Sequence, residues 1–579
     1  MLRSRAQNEA AEAAKWETLK QRLEDADKGD GAFDVAQETE ETRSAFRALE
    51  RLGCLALLGR DEALREEKAA HGRGAEAIDA AKQWLRKLGR RATPEAARHL
   101  LLQVGVWDRH TNLDLIRLEV PTEFDQLLEE AAKDLEAHPP PDVDAAARLD
   151  LTHLPAFAID DASTQEVDDS LSVEFLTADG GSRRRFWVHI ADPTRYIEHG
   201  SPLYREARRR GSSIYLPTGT IPMFPMELAA GPLSLRPGET ACALSVGIEL
   251  DEAGGIDEAA PPIITPSLVN TTRLTYEQVD ALLDPFAVVD SENGDHSATR
   301  DIENIETVVE CLRQLQYASE QRRCWRMNGG SLESIAPEDF PDMIIKATRS
   351  DGNDGWHVDV KTKKNAAADR IVTELMLAAN EAVARYGVAK EVPLPFRCQE
   401  MDDVSEAEIA VTPAGPCRRW LAIRATRGSR VTATPLPHRG LGLDAYVQAT
   451  SPIRRFADLA VHYQIKSHLR GDPLPFPGQD GNDGADAGET MIGLAKNGGM
   501  LSRQLERPAT DYWLKEYLQR QGTRHTKALV LSKERKDNMY KLLLPELGTI
   551  CDYTSATPLA MGEKIEIQSA HLASFITPR

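Results

Sequence analysis

The sequence lacks the features that would place it outside the cell or across a membrane. Its seven cysteines are scattered from Cys54 to Cys551 with no C-x-x-C pair, which argues against a disulfide framework and a thiolate zinc site. No run approaches about 18 uninterrupted apolar residues, the length that spans a bilayer. The opening MLRSRAQNEAAEAAKWETLK holds no apolar run followed by a small-residue cleavage site. No internal repeat is evident. The expected location is a reducing interior, either cytoplasmic or, in a eukaryote, inside a plastid or mitochondrion, and no membrane partner is expected.

Positive charge is also scarce. Lysine and arginine number 70 against 91 acids, a net charge of -21, which at first sight counts against a nucleic-acid partner. The average hides one local field. Between Pro416 and Arg455 stand eight arginines (Arg418, Arg419, Arg424, Arg427, Arg430, Arg439, Arg454 and Arg455) and one acid, Asp444.

At 579 residues the chain is too long for one core. Residues 1–92 are rich in Ala, Glu, Arg and Leu, with apolar positions at helical spacing (Phe46, Leu49, Leu52, Leu55) and a turn near DKGDGAF. Residues 93–145 form a second helical unit, suited to a winged or helix-turn-helix module, that stops at Pro139, Pro140 and Pro141. Segments such as PAFAID, SLSVEF and ACALSVGIEL then alternate with helices at IENIETVVECLRQLQYASEQRR and AADRIVTELMLAANEAVARYG, so 146–475 reads as a mixed α and β catalytic domain. Polar stretches around VDSENGDHSATRD and over 476–490 look like exposed insertions. A helical tail over 491–521 and short strands over 522–579, an expected OB-like β-barrel, complete an α+β multidomain chain.

The sharpest chemical signal is AIDDASTQEVDDSLSVEF. Five carboxylates, Asp160, Asp161, Glu166, Asp168 and Asp169, fall within ten residues on a loop between two strands. Hard cations such as Mg²⁺ take oxygen donors of this kind and share their remaining positions with water and substrate phosphate, which points to metal-assisted phosphodiester chemistry.

With WVHIADPTRYI (187–197), GSSIYLPTGTIPMFP (211–225), RIVTELMLAANE (370–381), HRGLGL (438–443) and YVQATSPIRRFADLAVHYQI (446–465), the loop makes an ordered series. From about Leu151 to Gly471 the chain resembles the RNB family, the catalytic domain of ribonuclease II and ribonuclease R. The resemblance implies a processive hydrolase that removes nucleotides from the 3′ end of single-stranded RNA and releases nucleoside 5′-monophosphates. It also implies a divalent cofactor, Mg²⁺ with Mn²⁺ as a substitute, and a monomer is expected. By motif position, Asp160, Glu166, Asp168 and Asp169 are implied as metal ligands, with Glu166 replacing the usual Asp, while Asp161 matches no ligand. Asp168 and Asp169 are implied as catalytic together with Arg454, which would contact the scissile phosphate; Arg455 is implied in RNA binding. Tyr215 matches an aromatic that stacks on a base, and Glu374 and Glu506 are candidates for sugar contact. Phe340 is a candidate for a second stacking aromatic. His189 and Asp192 are expected to brace the site as a buried hydrogen-bonded pair.

The resemblance stops short at the front, where residues 1–83 hold only Trp16, Phe33 and Phe46 as aromatics, in place of RNA-binding cold-shock domains. Two rival functions remain: a catalytically weak or silent RNA-binding protein that keeps the fold, and a DNA nuclease.

Overall fold

The computed structural model describes residues 17–23, 25, 35–57, 73–178, 181–284, 305–335, 340–350, 355–363, 366–477, 491–534 and 538–576. The DKGDGAF turn, the stretch around VDSENGDHSATRD and nearly all of the 476–490 insertion lie outside them. The chain divides into two compact units, Met1–Thr122 and Glu123–Arg579.

The first unit is helical, with helices at Glu40–Cys54, Arg73–Lys87, Pro94–Gln103 and Leu113–Arg117. Thr39 and Thr93 cap two of them, each side chain accepting a backbone amide three residues on. The apolar stripe Phe46, Leu49 and Leu52 buries against Leu85, Leu100, Leu101 and Trp107. Gly53 is required here: a Cβ at this position would lie 2.8 Å from the Trp107 ring. The helices of 94–117 therefore pack with the preceding ones, whereas Gln126–Ala137 belongs to the second unit.

The second unit is built on a sheet whose strands run β1 (Leu149–Asp150), β2 (Ala156–Asp160), β3 (Asp169–Ala178), β4 (Gly181–Ala191), a small hairpin β5 (Ile214–Leu216) and β6 (Gly219–Ile221), β7 (Thr240–Ile248) and β8 (Ile263–Thr275). The spatial order is β1-β8-β2-β3-β4-β7, and β7 also pairs with β8. β8 pairs antiparallel with β7 through 263–270 and parallel with β2 through 271–275, so five strands close on themselves. One face of this ring carries a satisfied polar chain. His189 bridges Ser172 Oγ (2.8 Å) and Ser245 Oγ (2.7 Å), and Ser245 meets Ser267 at 2.5 Å. The other face packs Leu171, Val173, Val188, Ile190, Leu244 and Val246 into the main core.

Three helices build that core: Ile305–Asn328, Ala367–Ala389 and Phe456–Arg470. The last is buried almost all round, from Asp458 to Ser467. Two buried ion pairs, Arg322 with Glu381 and Arg326 with Glu374, tie the first two helices together. Such pairs add little net stability but fix register, because an unpaired partner at this depth is costly.

A hairpin of β9 (Asp342–Arg349) and β10 (Trp356–Lys363) and the short pair β11 (Phe396–Cys398) and β12 (Arg430–Thr432) follow. At the C-terminus β13 (His525–Lys533), β14 (Met539–Leu544), β15 (Thr549–Thr554) and β16 (Lys564–Gln568) form an antiparallel sheet ordered β15-β14-β13-β16. β15 and β16 remain edges among the described residues, so the expected OB-like barrel is an open four-stranded sheet. Its apolar side packs instead on Leu514 and Leu518 of the helix Met500–Gln521 and on Met343, Ile345 and Val360 of the β9–β10 hairpin. No helix is long and apolar enough to cross a membrane among the described residues.

Candidate active site

The carboxylate loop sits where β2 ends and its antiparallel neighbour β3 begins, which brings Asp160 and Asp169 to one rim of the sheet. The loop between them is pinned: Ser234 Oγ accepts the Val167 amide at 2.9 Å, and the Val167 carbonyl accepts Leu235 N at 3.0 Å. Arg273, on β8, donates to the carbonyls of Asp161 and Thr164. Asp161 turns away into the loop, where its carboxylate accepts the amide and hydroxyl of Ser163.

Asp168 is buried and held at both oxygens. Oδ1 accepts the Ile453 amide and Oδ2 accepts Arg454 Nε, each at 3.0 Å. A second Arg454 nitrogen, Nη2, donates to Ser451 Oγ at 2.8 Å. The segment carrying Arg454 is stitched in place from three sides. Asn380 Oδ1 accepts Ala449 N, Asp458 Oδ2 accepts Ser451 N, and Arg454 O accepts Ser213 N. Arg455 does not extend freely, since its Nε and Nη2 both lie on Asp458.

The remaining carboxylates resist ionisation. Burial, reinforced by Asp168, pushes Glu166 up to about 7. Burial pushes Asp169 up to about 8, with Asp160 and Asp168 adding repulsion. Burial raises Asp160 to about 6 against the pull of Arg273, and it raises Asp168 despite Arg454. Glu166 Oε1 is buried with no hydrogen-bond partner. An orphaned carboxylate oxygen among mutually repelling carboxylates fits a divalent cation that takes only hard oxygen donors. Among the described residues no three such side chains converge as a finished cage. Mg²⁺, which keeps several waters and takes substrate oxygens, does not need one.

Beside Arg454 opens a cleft of about 260 Å³, lined by Tyr215, Gln448, Arg454, Arg455 and Glu506 among others. Tyr215 is 45% exposed, so its ring is available as a platform and is not a core residue. Glu506 Oε1 accepts the Tyr215 amide at 2.9 Å and so fixes the β5–β6 hairpin against the helix Met500–Gln521.

Four sequence expectations meet a different arrangement. Glu374 does not join the cleft: both of its oxygens lie on Arg326, at 3% side-chain exposure. Phe340 packs in an apolar cluster with Cys417, Leu531 and Leu543, away from the cleft lining. His189 and Asp192 are both buried but do not pair. The serines hold His189, burial pulls it down to about 3, and Asp192 is held by Arg148, Lys466 and Thr194. The arginines of 416–455 form no single basic face, because Arg427 and Arg430 are paired with Glu400 and Asp402. Arg273, Asn380, Ser451 and Asp458, which position the loop and Arg454, are not singled out by the sequence. Asn380 lies inside the recognised RIVTELMLAANE motif, and that was its one available signal.

The family described as RNB domain matches residues 148–471, and the one described as double HTH domain matches residues 1–113, so the helix-turn-helix character begins ahead of residue 93. An uncharacterized ribonuclease of Synechocystis sp. is 37% identical over 84% of this chain and 67% of its own length. Ribonuclease II, chloroplastic/mitochondrial, of Arabidopsis thaliana is 36% identical over 84% of this chain and 56% of its own. The chain thus spans between about half and two thirds of these relatives. Among solved structures, Mycoplasma genitalium RNase R in complex with ribose methylated single-stranded RNA superposes with a TM-score of 0.61 at 19% identity, over 78% of this chain and 74% of that one. Yeast Ssd1, a pseudonuclease, shares the fold at a TM-score of 0.52 and 19% identity, over 75% of this chain and 53% of its own. With more than half of its length matched by the RNB domain, and a relative 37% identical over 67% of its own length, the chain belongs to the RNB family.

Proposed function

We propose that the chain is a metal-dependent exoribonuclease that hydrolyses single-stranded RNA processively from the 3′ end and releases nucleoside 5′-monophosphates. The observation that carries this reading is the joining of Arg454 to Asp168 at the edge of a carboxylate cluster whose Glu166 oxygen is left without a partner. Asp160, Glu166, Asp168 and Asp169 would hold Mg²⁺, with Mn²⁺ as a substitute. When bound, the cation would polarise phosphoryl oxygens and lower the pKa of an attacking water.

The chain's own residues do the rest. Asp168 orients the Arg454 fork, and the nitrogen left over from Asp168 and Ser451 meets charge developing on the phosphoryl oxygens. Tyr215 stacks on the base next to the bond that breaks, an interaction indifferent to base identity. Glu506, with one oxygen on the Tyr215 amide, offers the other to a ribose 2′-OH, which favours RNA over DNA. Water attacks phosphorus, the bond to the 3′-oxygen of the upstream nucleotide breaks, and the terminal nucleotide leaves with the phosphate.

Incubating 5′-labelled RNA and DNA strands with Mg²⁺ or with EDTA tests the proposal. RNA shortened from the 3′ end in Mg²⁺ alone is the expected result. RNA bound but never shortened would replace it with the silent RNA-binding reading, and equal shortening of DNA would remove the sugar selectivity.

A further inference from the structure

The cleft beside Arg454 holds more positive charge than one phosphate requires. Four arginines line it, Arg397, Arg454, Arg455 and Arg503, against two acids, Asp458 and Glu506. Asp458 is engaged by Arg455, and Glu506 by the Tyr215 amide. Arg454 is held by Asp168, from outside the cleft lining. Arg397 and Arg503 are left over. Arg397, at the centre of β11, donates Nη1 to Ser429 Oγ at 3.3 Å and has no carboxylate partner among the described residues. Arg503, in the first turns of the helix Met500–Gln521, is exposed and likewise has none. Burial pulls Arg397 below its ordinary pKa; Tyr446 and Asp458 oppose the pull, and the nearby charges of Arg455 and Arg503 add to it. Two guanidiniums facing one cavity, neither in an ion pair among the described residues, are a ready receptor for a phosphate, whose oxygens match the planar fork.

Chain direction decides which phosphate fits. None of the four loop carboxylates lines this cleft, so it lies to one side of the site where the bond breaks. A strand that ends in a 3′-hydroxyl carries no phosphate beyond the scissile one. Its only other nearby phosphate is the next one on the 5′ side. We infer that Arg397 and Arg503 form a second phosphate seat, which takes the internucleotide phosphate one step 5′ of the scissile bond. This inference rests on the proposed hydrolysis from the 3′ end. Its consequence is a length threshold, since a dinucleotide with a 5′-hydroxyl fills the Arg454 seat and leaves the second one empty.

The test compares three dinucleotides on the full chain: NpN, pNpN with a 5′-phosphate standing for the upstream phosphate, and NpNp with a 3′-phosphate. Affinity is read in EDTA at physiological salt by displacement of a fluorescent RNA, so that no hydrolysis intervenes. The wild type should prefer pNpN over NpN by about 10-fold, the gain expected of a charge-assisted contact, and should show no gain for NpNp. In Arg397→Gln/Arg503→Gln the preference should fall to about onefold. Arg503 is exposed, so Arg503→Gln alone decides the matter if the double variant does not fold, and it should lose at least half of the preference. Equal affinities in the wild type, a preference that survives Arg503→Gln, or a gain that follows the 3′-phosphate would each overturn the seat. A longer 3′-hydroxyl RNA incubated in Mg²⁺ separates the two claims: its hydrolysis without a pNpN preference removes the seat and keeps the enzyme, whereas a preference without its hydrolysis removes the enzyme and keeps the seat.

Discussion

Replacing Arg454 with lysine keeps the charge and removes the fork. In the structure two of the three guanidinium nitrogens are committed, Nε to Asp168 at 3.0 Å and Nη2 to Ser451 at 2.8 Å, and Nη1 remains for substrate. A lysine has one nitrogen for all three tasks. Asp168 is buried while the Arg454 side chain is 40% exposed, so the ammonium is drawn to the carboxylate and withdrawn from the phosphate. The lost donor acts on charge that develops only as the bond breaks, and removal of one such preorganised donor costs about 10²–10³-fold in turnover. Binding changes far less, because a positive charge stays at the cleft and Arg397, Arg455 and Arg503 are untouched. The fold survives, since Asp168 Oδ1 keeps the Ile453 amide. Single-turnover hydrolysis of a labelled RNA, with affinity measured separately in EDTA, reads both quantities. Equal losses in rate and affinity would refute the reasoning and leave Arg454 as a positioning contact only.

Tyr215→Ala should leave long RNA degraded but stop the enzyme on longer remnants, because a short strand has few other contacts and stacking contributes about 1–3 kcal/mol per base; an unchanged limit product on a sequencing gel would contradict this. Glu166→Ala should raise the Mg²⁺ concentration for half-maximal activity, whereas Glu166→Asp should stay active with similar or tighter metal dependence; an alanine variant with an unaltered titration would show that the aspartates suffice. Asp160, Glu166 and Asp169 titrate near 6, 7 and 8 in the folded chain, against about 4 unfolded. The folded state keeps protons that the unfolded chain has released, so the stability they contribute is full below about pH 4 and is lost as pH rises to about 8. In EDTA the melting temperature should therefore fall between pH 5 and 8.5, and fall less in Asp169→Asn; an identical pH response in that variant would exclude Asp169 as a contributor.

The carboxylate loop, Arg454 and Tyr215 stood out because each lies inside a compact motif, and the fold sets Arg454 on Asp168 and Tyr215 at the cleft. The strands and long helices of the second unit were legible from their periodicity. Closure of the sheet was not, because it depends on β8 pairing with β7 along one half and with β2 along the other, contacts that local spacing does not encode. Glu374 illustrates the same limit. Its position in a recognised motif suggested a sugar contact, but Arg326, 48 residues away, takes both of its oxygens. The arginine-rich segment read as one basic face because the sequence could not show Glu400 and Asp402 folding back onto Arg427 and Arg430. Arg397 and Arg503 gave no signal at all, being separated by more than a hundred residues and brought to one cleft only by the fold.

The most direct test of the account is Asp168→Asn assayed beside the wild type on 3′-hydroxyl single-stranded RNA in Mg²⁺, with released products identified by mass and RNA retention measured in parallel. The substitution keeps the shape of the side chain and removes the charge that orients Arg454. The wild type should release nucleoside 5′-monophosphates one at a time, and the variant should release none while still retaining RNA. A variant that turns over RNA at near the wild-type rate would contradict this, as would wild-type products carrying a 3′-phosphate.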